Sequence, residues 1–304
     1  MKFIIWSLLE NSLMDNSKRF ALLIMFVCGL VIGCADLNTT RSAKTTSGAK
    51  SVAAPIDYLP ALRGDYFPLE SKSCGRKFHI YVRFPEGYDP QQPRRYPVIY
   101  LLDGDSLFPL IAPTHLFLTY DERIPEAIIV GISYGGFESS INKRNIDFTA
   151  PAEDAPPGER GAPEFLHFLK DELLPLVDNQ YRTDPDRRVL LGQSRGGYFV
   201  LWSALEMPDL FWGRVASNPT FTPGRARFFA DANAHTRTGL KVFLASGTRD
   251  SELRKENANA WAHAWQHRAD KPWRLNFSVL EGGTHAASIG ETYRQAMLWL
   301  FNQN

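Results

Sequence analysis

The chain has 304 residues, 44% of them hydrophobic, enough for one large domain with a buried core. Its 34 basic and 33 acidic residues are interspersed and leave a formal net charge of +1, so no broad field draws nucleic acid, and a small, mostly uncharged substrate fits better. Cys28, Cys34 and Cys74 form no Cys-x-x-Cys pair and have no His at zinc-ligand spacing, which points away from a disulfide framework and from a structural metal.

From the N-terminus, Asp15-Asn16-Ser17-Lys18-Arg19-Phe20 is a short basic stretch ahead of an apolar run at 21–32 and then Gly33-Cys34. This is the layout of an export signal. The run is too short to cross a hydrocarbon core, which takes about 20 residues in a helix. Val31-Ile32-Gly33-Cys34 resembles the lipobox of bacterial lipoproteins, which implies a signal peptide over 1–33, with Met14 as an alternative start, and acylation of Cys34. The other reading is an ordinary signal cleaved a few residues later. Both export the protein to the periplasm or cell exterior, and the first adds the membrane as a partner through a lipid anchor. Cys74 is then left alone in the mature chain, as a small packed residue rather than a nucleophile. Residues 34–58, rich in Thr, Ser, Ala, Lys and Gly, read as a flexible tether, and 59–304 as the folded domain.

Within that domain, β-rich runs at 78–84, 97–102, 127–132, 188–191, 213–216, 240–245 and 275–280 alternate with helical patterns. Several are continuous apolar stretches, as strands covered on both faces should be. The alternation predicts an α/β fold with a mostly parallel sheet and helices on both faces. Phe165, Leu166, Phe168, Leu169, Leu173, Leu174 and Leu176 recur near helical spacing, as do Tyr198, Leu201, Trp202 and Leu205, and these stripes read as core. The Pro- and Gly-rich stretch 150–163 is a long loop, which either shapes a substrate pocket or is a tolerated surface insertion.

Gly192-Gln193-Ser194-Arg195-Gly196 sits between a strand pattern and a helical one, with serine at the apex. So tight a turn strains the serine backbone and demands small flanking residues where helix passes strand; Gly192, Gly196 and Gly197 supply them. Its partners should follow in the order acid, then histidine. The strand at 240–245 runs into Ser246-Gly247-Thr248-Arg249-Asp250, which makes Asp250 the first candidate acid, with Glu252 as the alternative. Either could instead cap the helix that begins near Ser251. The last strand runs into Glu281-Gly282-Gly283-Thr284-His285, and of the seven histidines only His285 is placed to act as general base. A serine hydroxyl is a poor nucleophile at neutral pH, so His285 would take its proton while the acid fixes the imidazole tautomer. Two backbone N–H groups should hold the developing oxyanion, one from Arg195 and one from the turn at Asp103-Gly104-Asp105-Ser106, with Asp105 as the candidate; a helix cap by Asp105 or Ser106 is compatible with the same geometry.

Tyr100-Leu101-Leu102-Asp103-Gly104, Arg144-Asn145-Ile146-Asp147-Phe148-Thr149, the pattern 165–181 leading into the elbow, and Gly282-Gly283-Thr284-His285 together resemble the Putative esterase family of α/β-hydrolases, the enterochelin-esterase-like and feruloyl-esterase-like group. The resemblance implies an α/β-hydrolase fold and hydrolysis of carboxylic esters without metal or organic cofactor. The chain departs from the family pattern at Gln193, where histidine is frequent, and at Asn218-Pro219-Thr220, where a Ser-Pro-Ser-like turn is frequent. Arg144 and Asp147 match a motif that the resemblance places near the pocket, but at that spacing they could equally form a structural ion pair, which is the preferred reading. The expected activity is that of a serine esterase on siderophore-like, carbohydrate-bound or small acyl esters. Acyl transfer through the same triad, and a non-catalytic tethered binding module, are the competing readings.

Overall fold

The structure is a computed structural model that describes residues 59–301. The expected export signal, Cys34 and the tether lie outside the described residues.

Eight strands form one sheet: β1 (Gly64–Ser71), β2 (Arg76–Arg83), β3 (Tyr96–Leu101), β4 (Ile128–Ser133), β5 (Thr183–Gln193), β6 (Gly213–Ser217), β7 (Leu240–Gly247) and β8 (Trp273–Leu280). Their order is β1-β2-β4-β3-β5-β6-β7-β8. The first two pairings, β1 with β2 and β2 with β4, are antiparallel, and every pairing from β4 to β8 is parallel. The α/β expectation therefore holds, and so do all seven predicted strands.

The eighth, β1, was not predicted. Its outward residues are solvent-exposed and it contains Pro68, a pattern that a sheet tolerates only at its edge, where one side of the strand has no ladder to complete.

Helices cover both faces, because the parallel strands are apolar on both sides. The α-helices are α1 (Gly104–Asp121), α2 (Arg144–Asp147), α3 (Ala162–His167), α4 (Leu174–Gln180), α5 (Arg195–Glu206), α6 (Glu252–Gln266) and α7 (Ile289–Phe301). A π-helical stretch, Phe168–Leu173, joins α3 to α4. In β3 the side chains alternate: Val98 and Tyr100 pack with Phe165, Phe199 and Trp261, whereas Ile99 and Leu101 pack with Ile111, Tyr293 and Met297. One core thus lies under α3 to α6 and the other under α1 and α7. Helix α5 is buried from Gly196 to Leu205, which makes it a rigid support directly behind the carboxyl end of β5.

Cys74, expected as a packed residue, is partly buried beside β2, and burial pushes its thiol up to about 12. A thiol held protonated at neutral pH is a weak nucleophile.

Candidate active site

Ser194 links the end of β5 to the start of α5 with φ 56° and ψ −112°. A left-handed φ is costly for a serine, and the structure over-determines it. The Ser194 N–H donates to Ser217 O at 2.9 Å, and Ser194 O accepts from Tyr198 N at 2.9 Å and Thr220 N at 3.2 Å. A Cβ on Gly192 would lie 2.5 Å from the carbonyl of Gly196, so a glycine is required where the helix folds back over the strand.

The loops after β7 and β8 bring two side chains to this serine. His285 Nε2 is 3.0 Å from Ser194 Oγ, and His285 Nδ1 is 2.7 Å from Asp250 Oδ2. With Nδ1–H donating to the carboxylate, Nε2 carries a lone pair and accepts from the hydroxyl. The Asp250 side chain is only 2% exposed, and its other oxygen accepts from Ser251 N at 2.6 Å and from Arg254 at 3.4 Å. Glu252 is 73% exposed and pairs with Lys255 at 2.7 Å, so Asp250 is the acid in contact with the imidazole. Ser251, the residue before α6, makes no side-chain cap.

These loops are laced to each other. Thr248 N donates to Leu280 O, Arg249 N to Gly283 O, and Gly282 N to Thr248 Oγ1. A Cβ on Gly247 would lie 2.4 Å from Gly283 O, so the acid loop and the histidine loop touch backbone to backbone.

Arg195 is the first residue of α5 and Asp105 the second of α1. Neither N–H has a carbonyl one turn earlier in its own helix to donate to, which leaves both available for an oxyanion. The Asp105 side chain does not cap α1; it accepts from Ser133 Oγ, Tyr134 N and Gly135 N and so ties the start of α1 to the end of β4.

Reading Arg144 with Asp147 as an ion pair is incorrect. Arg144 forks onto Asp103 instead, Nε to Oδ1 at 2.6 Å and Nη2 to Oδ2 at 3.0 Å, and also reaches Gln193 O. Asp147 pairs with Arg76 at 2.8 Å and accepts from Tyr134 Oη at 2.9 Å. Within α2, residues three apart are neighbours, but a better bidentate partner across the cleft wins Arg144. The sequence marks Asp103, in the left-handed region at φ 55°, only as part of the turn after β3 and gives its side chain no role, because its partner is 41 residues away. Asp103, Asp105, Ser106, Leu107, Phe137, Asn142, Arg144, Gln193, Ser194 and His285 line one cleft of about 270 Å³.

A mostly parallel sheet flanked on both faces by helices, with a strained serine after β5 and an acid and histidine on later loops, defines an α/β-hydrolase. Its relatives narrow the class. A family model described as "Putative esterase" matches residues 71–297. Ferri-bacillibactin esterase BesA of Bacillus subtilis (strain 168) is 30% identical over 246 residues, 73% of this chain and 83% of that protein. Siderophore triacetylfusarinine C esterase of Aspergillus fumigatus is 29% identical over 187 residues, 59% of this chain and 63% of that protein. The crystal structure of the BES protein from Bacillus cereus superposes with a TM-score of 0.69 at 19% identity, covering 90% of this chain and all of that one, a likeness of fold. The chain belongs to the Putative esterase family and is a serine carboxylic ester hydrolase.

Proposed function

We propose that the protein hydrolyses ester bonds of siderophore-type molecules through an acyl-enzyme on Ser194. The observation that carries the mechanism is the continuous chain of contacts from Ser194 Oγ to His285 at 3.0 Å and from His285 to Asp250 at 2.7 Å. Ser194 Oγ attacks the ester carbonyl as its proton passes to His285 Nε2, and the buried Asp250 carboxylate stabilises the imidazolium. The oxyanion is received by the N–H groups of Arg195 and Asp105, each worth about 3 kcal/mol in a preorganised site. Collapse expels the alcohol, which takes the proton back from His285. Water, deprotonated by the same imidazole, then releases the acid and regenerates the serine.

The siderophore preference is supported by the two curated relatives, both esterases of siderophores by name. The open cleft beside Ser194 suits a bulky ester presented from solvent. We further propose export and acylation at Cys34, on the strength of the basic stretch, the short apolar run and Gly33-Cys34.

The test incubates the full chain with ferri-bacillibactin, triacetylfusarinine C and a series of p-nitrophenyl esters, and follows carboxylic acid release by liquid chromatography and mass spectrometry. Turnover of at least one siderophore ester, abolished in Ser194→Ala and His285→Ala, is expected. Turnover of p-nitrophenyl esters alone would overturn the substrate, and product seen only with an added alcohol would point to acyl transfer.

A further inference from the structure

Gln193 and Asn218, two of the positions that depart from the family pattern, converge on a single atom: both side-chain amides donate to the carbonyl oxygen of His285, Asn218 Nδ2 at 3.2 Å. We infer that they form a clamp that sets the main-chain position of the general base, and that both are positioning residues for the hydrolysis. The inference rests on the reading of His285 as that base.

The clamp draws on three strands at once. Gln193 is the last residue of β5 and the immediate neighbour of Ser194, and Asn218 directly follows β6. Asn218 also donates to Thr284 O at 3.4 Å, and its Oδ1 accepts from Gly247 N at 2.7 Å, at the end of β7 and three residues before Asp250. One buried amide, 1% exposed, therefore spans the acid loop and the histidine loop, while a second ties the histidine loop to the nucleophile strand.

Asn218 stands at φ 42°, a conformation that asparagine tolerates better than most residues, and its N–H donates to Ala245 O at 2.8 Å. The strain is held because the side chain is bonded to Ser217 Oγ, Thr284 O, His285 O and Gly247 N.

The imidazole has its own bonds to Ser194 and Asp250, but it sits on a loop without regular secondary structure. Displacing the His285 backbone by 1 Å takes the imidazole out of register with Ser194 and Asp250, and a misplacement of that size costs about 10²-fold in rate. Two donors on one acceptor share the task, so removing either leaves the other in place and their effects are not independent.

The experiment uses the full chain with Gln193→Met, which keeps the length and loses the donor, Asn218→Gly, which accepts the left-handed backbone, and the double variant. Ser194→Ala runs in parallel. The readouts are kcat and KM on a p-nitrophenyl ester, melting temperature, and the downfield NMR resonance of the His285 Nδ1 proton. We expect kcat to fall about tenfold in each single variant and about 10³-fold in the double, more than the product, with KM within about threefold. The Nδ1 resonance should broaden away in the double variant. If Asn218→Gly does not fold, Gln193→Met alone must lower kcat at unchanged KM and melting temperature. A double variant, or Gln193→Met in its place, with kcat within twofold of wild type overturns the clamp. So does a loss that follows melting temperature with the Nδ1 resonance intact. If Ser194→Ala is inactive in the same assay, the triad stands and only the clamp falls; if Ser194→Ala turns over substrate, the underlying mechanism fails instead.

Discussion

Asp250 and Glu252 stand two positions apart and occupy opposite environments. Asp250 is buried against His285, and Glu252 is in solvent with a lysine one turn on. Replacing Asp250 by Asn keeps its shape but favours the wrong imidazole tautomer, and kcat should fall about 10⁴-fold. Glu252→Gln removes only an exposed ion pair of small energetic value, and kcat should stay within about twofold of wild type. Steady-state kinetics on a p-nitrophenyl ester checks both. Ser194 and His285 were legible in the sequence because each is embedded in a local pattern, a strand followed by a glycine-flanked turn. Asp103 was legible only as part of a turn, without a role for its side chain. Its left-handed backbone follows a strand that looks like any other, and its partner Arg144 is 41 residues away, so no local signal pairs them. Gln193 and Asn218 stood out by their identity, but their common acceptor was invisible until the loops were placed.

Between β5 and α5 the limiting feature is space. Gly192→Ala would put a methyl group 2.5 Å from the Gly196 carbonyl, backbone against backbone, where neither side can yield cheaply. Overpacking of this kind costs about 1–3 kcal/mol, which should lower the melting temperature by several degrees and reduce kcat by displacing Ser194. Gly282→Ala, where a Cβ meets nothing within 4 Å, pays only for its positive φ and is the matched control for thermal denaturation. The start of β2, the end of β4 and α2 meet at Asp147, whose carboxyl is pushed up to about 6 by burial against the opposing effect of Arg76 and Tyr134. Its folded pKa lies above the unfolded value of about 4, so its protonated form is the one that favours the fold. That contribution is complete below about pH 4 and is lost as pH rises through 6. Asp147→Asn cannot titrate, so between pH 5 and 7.5 wild type should lose more melting temperature than the variant; parallel curves would contradict the assignment. The edge strand β1 escaped the sequence because Pro68 and its polar alternation weaken the strand signal, whereas β3 and β4, buried on both faces, announce themselves as apolar runs.

For the whole molecule, alternation of strand and helix was enough to foresee a mostly parallel sheet, since only helices on both faces can bury such strands. The order was not foreseeable. That β4 lies between β2 and β3 depends on how the crossovers pack, which no single segment encodes. Beyond the described residues, the lipid-anchor proposal predicts that metabolic labelling with palmitate marks the wild-type chain in membranes and is lost in Cys34→Ser; equal labelling of both would contradict it. The central claim, that Ser194 is the nucleophile raised by this fold, is tested most directly by trapping it. Treatment of the full chain with a fluorophosphonate, followed by peptide mass spectrometry, should give one adduct on Ser194, none at that peptide in Ser194→Ala, and a much slower reaction in His285→Ala. An adduct on another residue accompanied by loss of esterase activity, or ester hydrolysis that persists in Ser194→Ala, would contradict it.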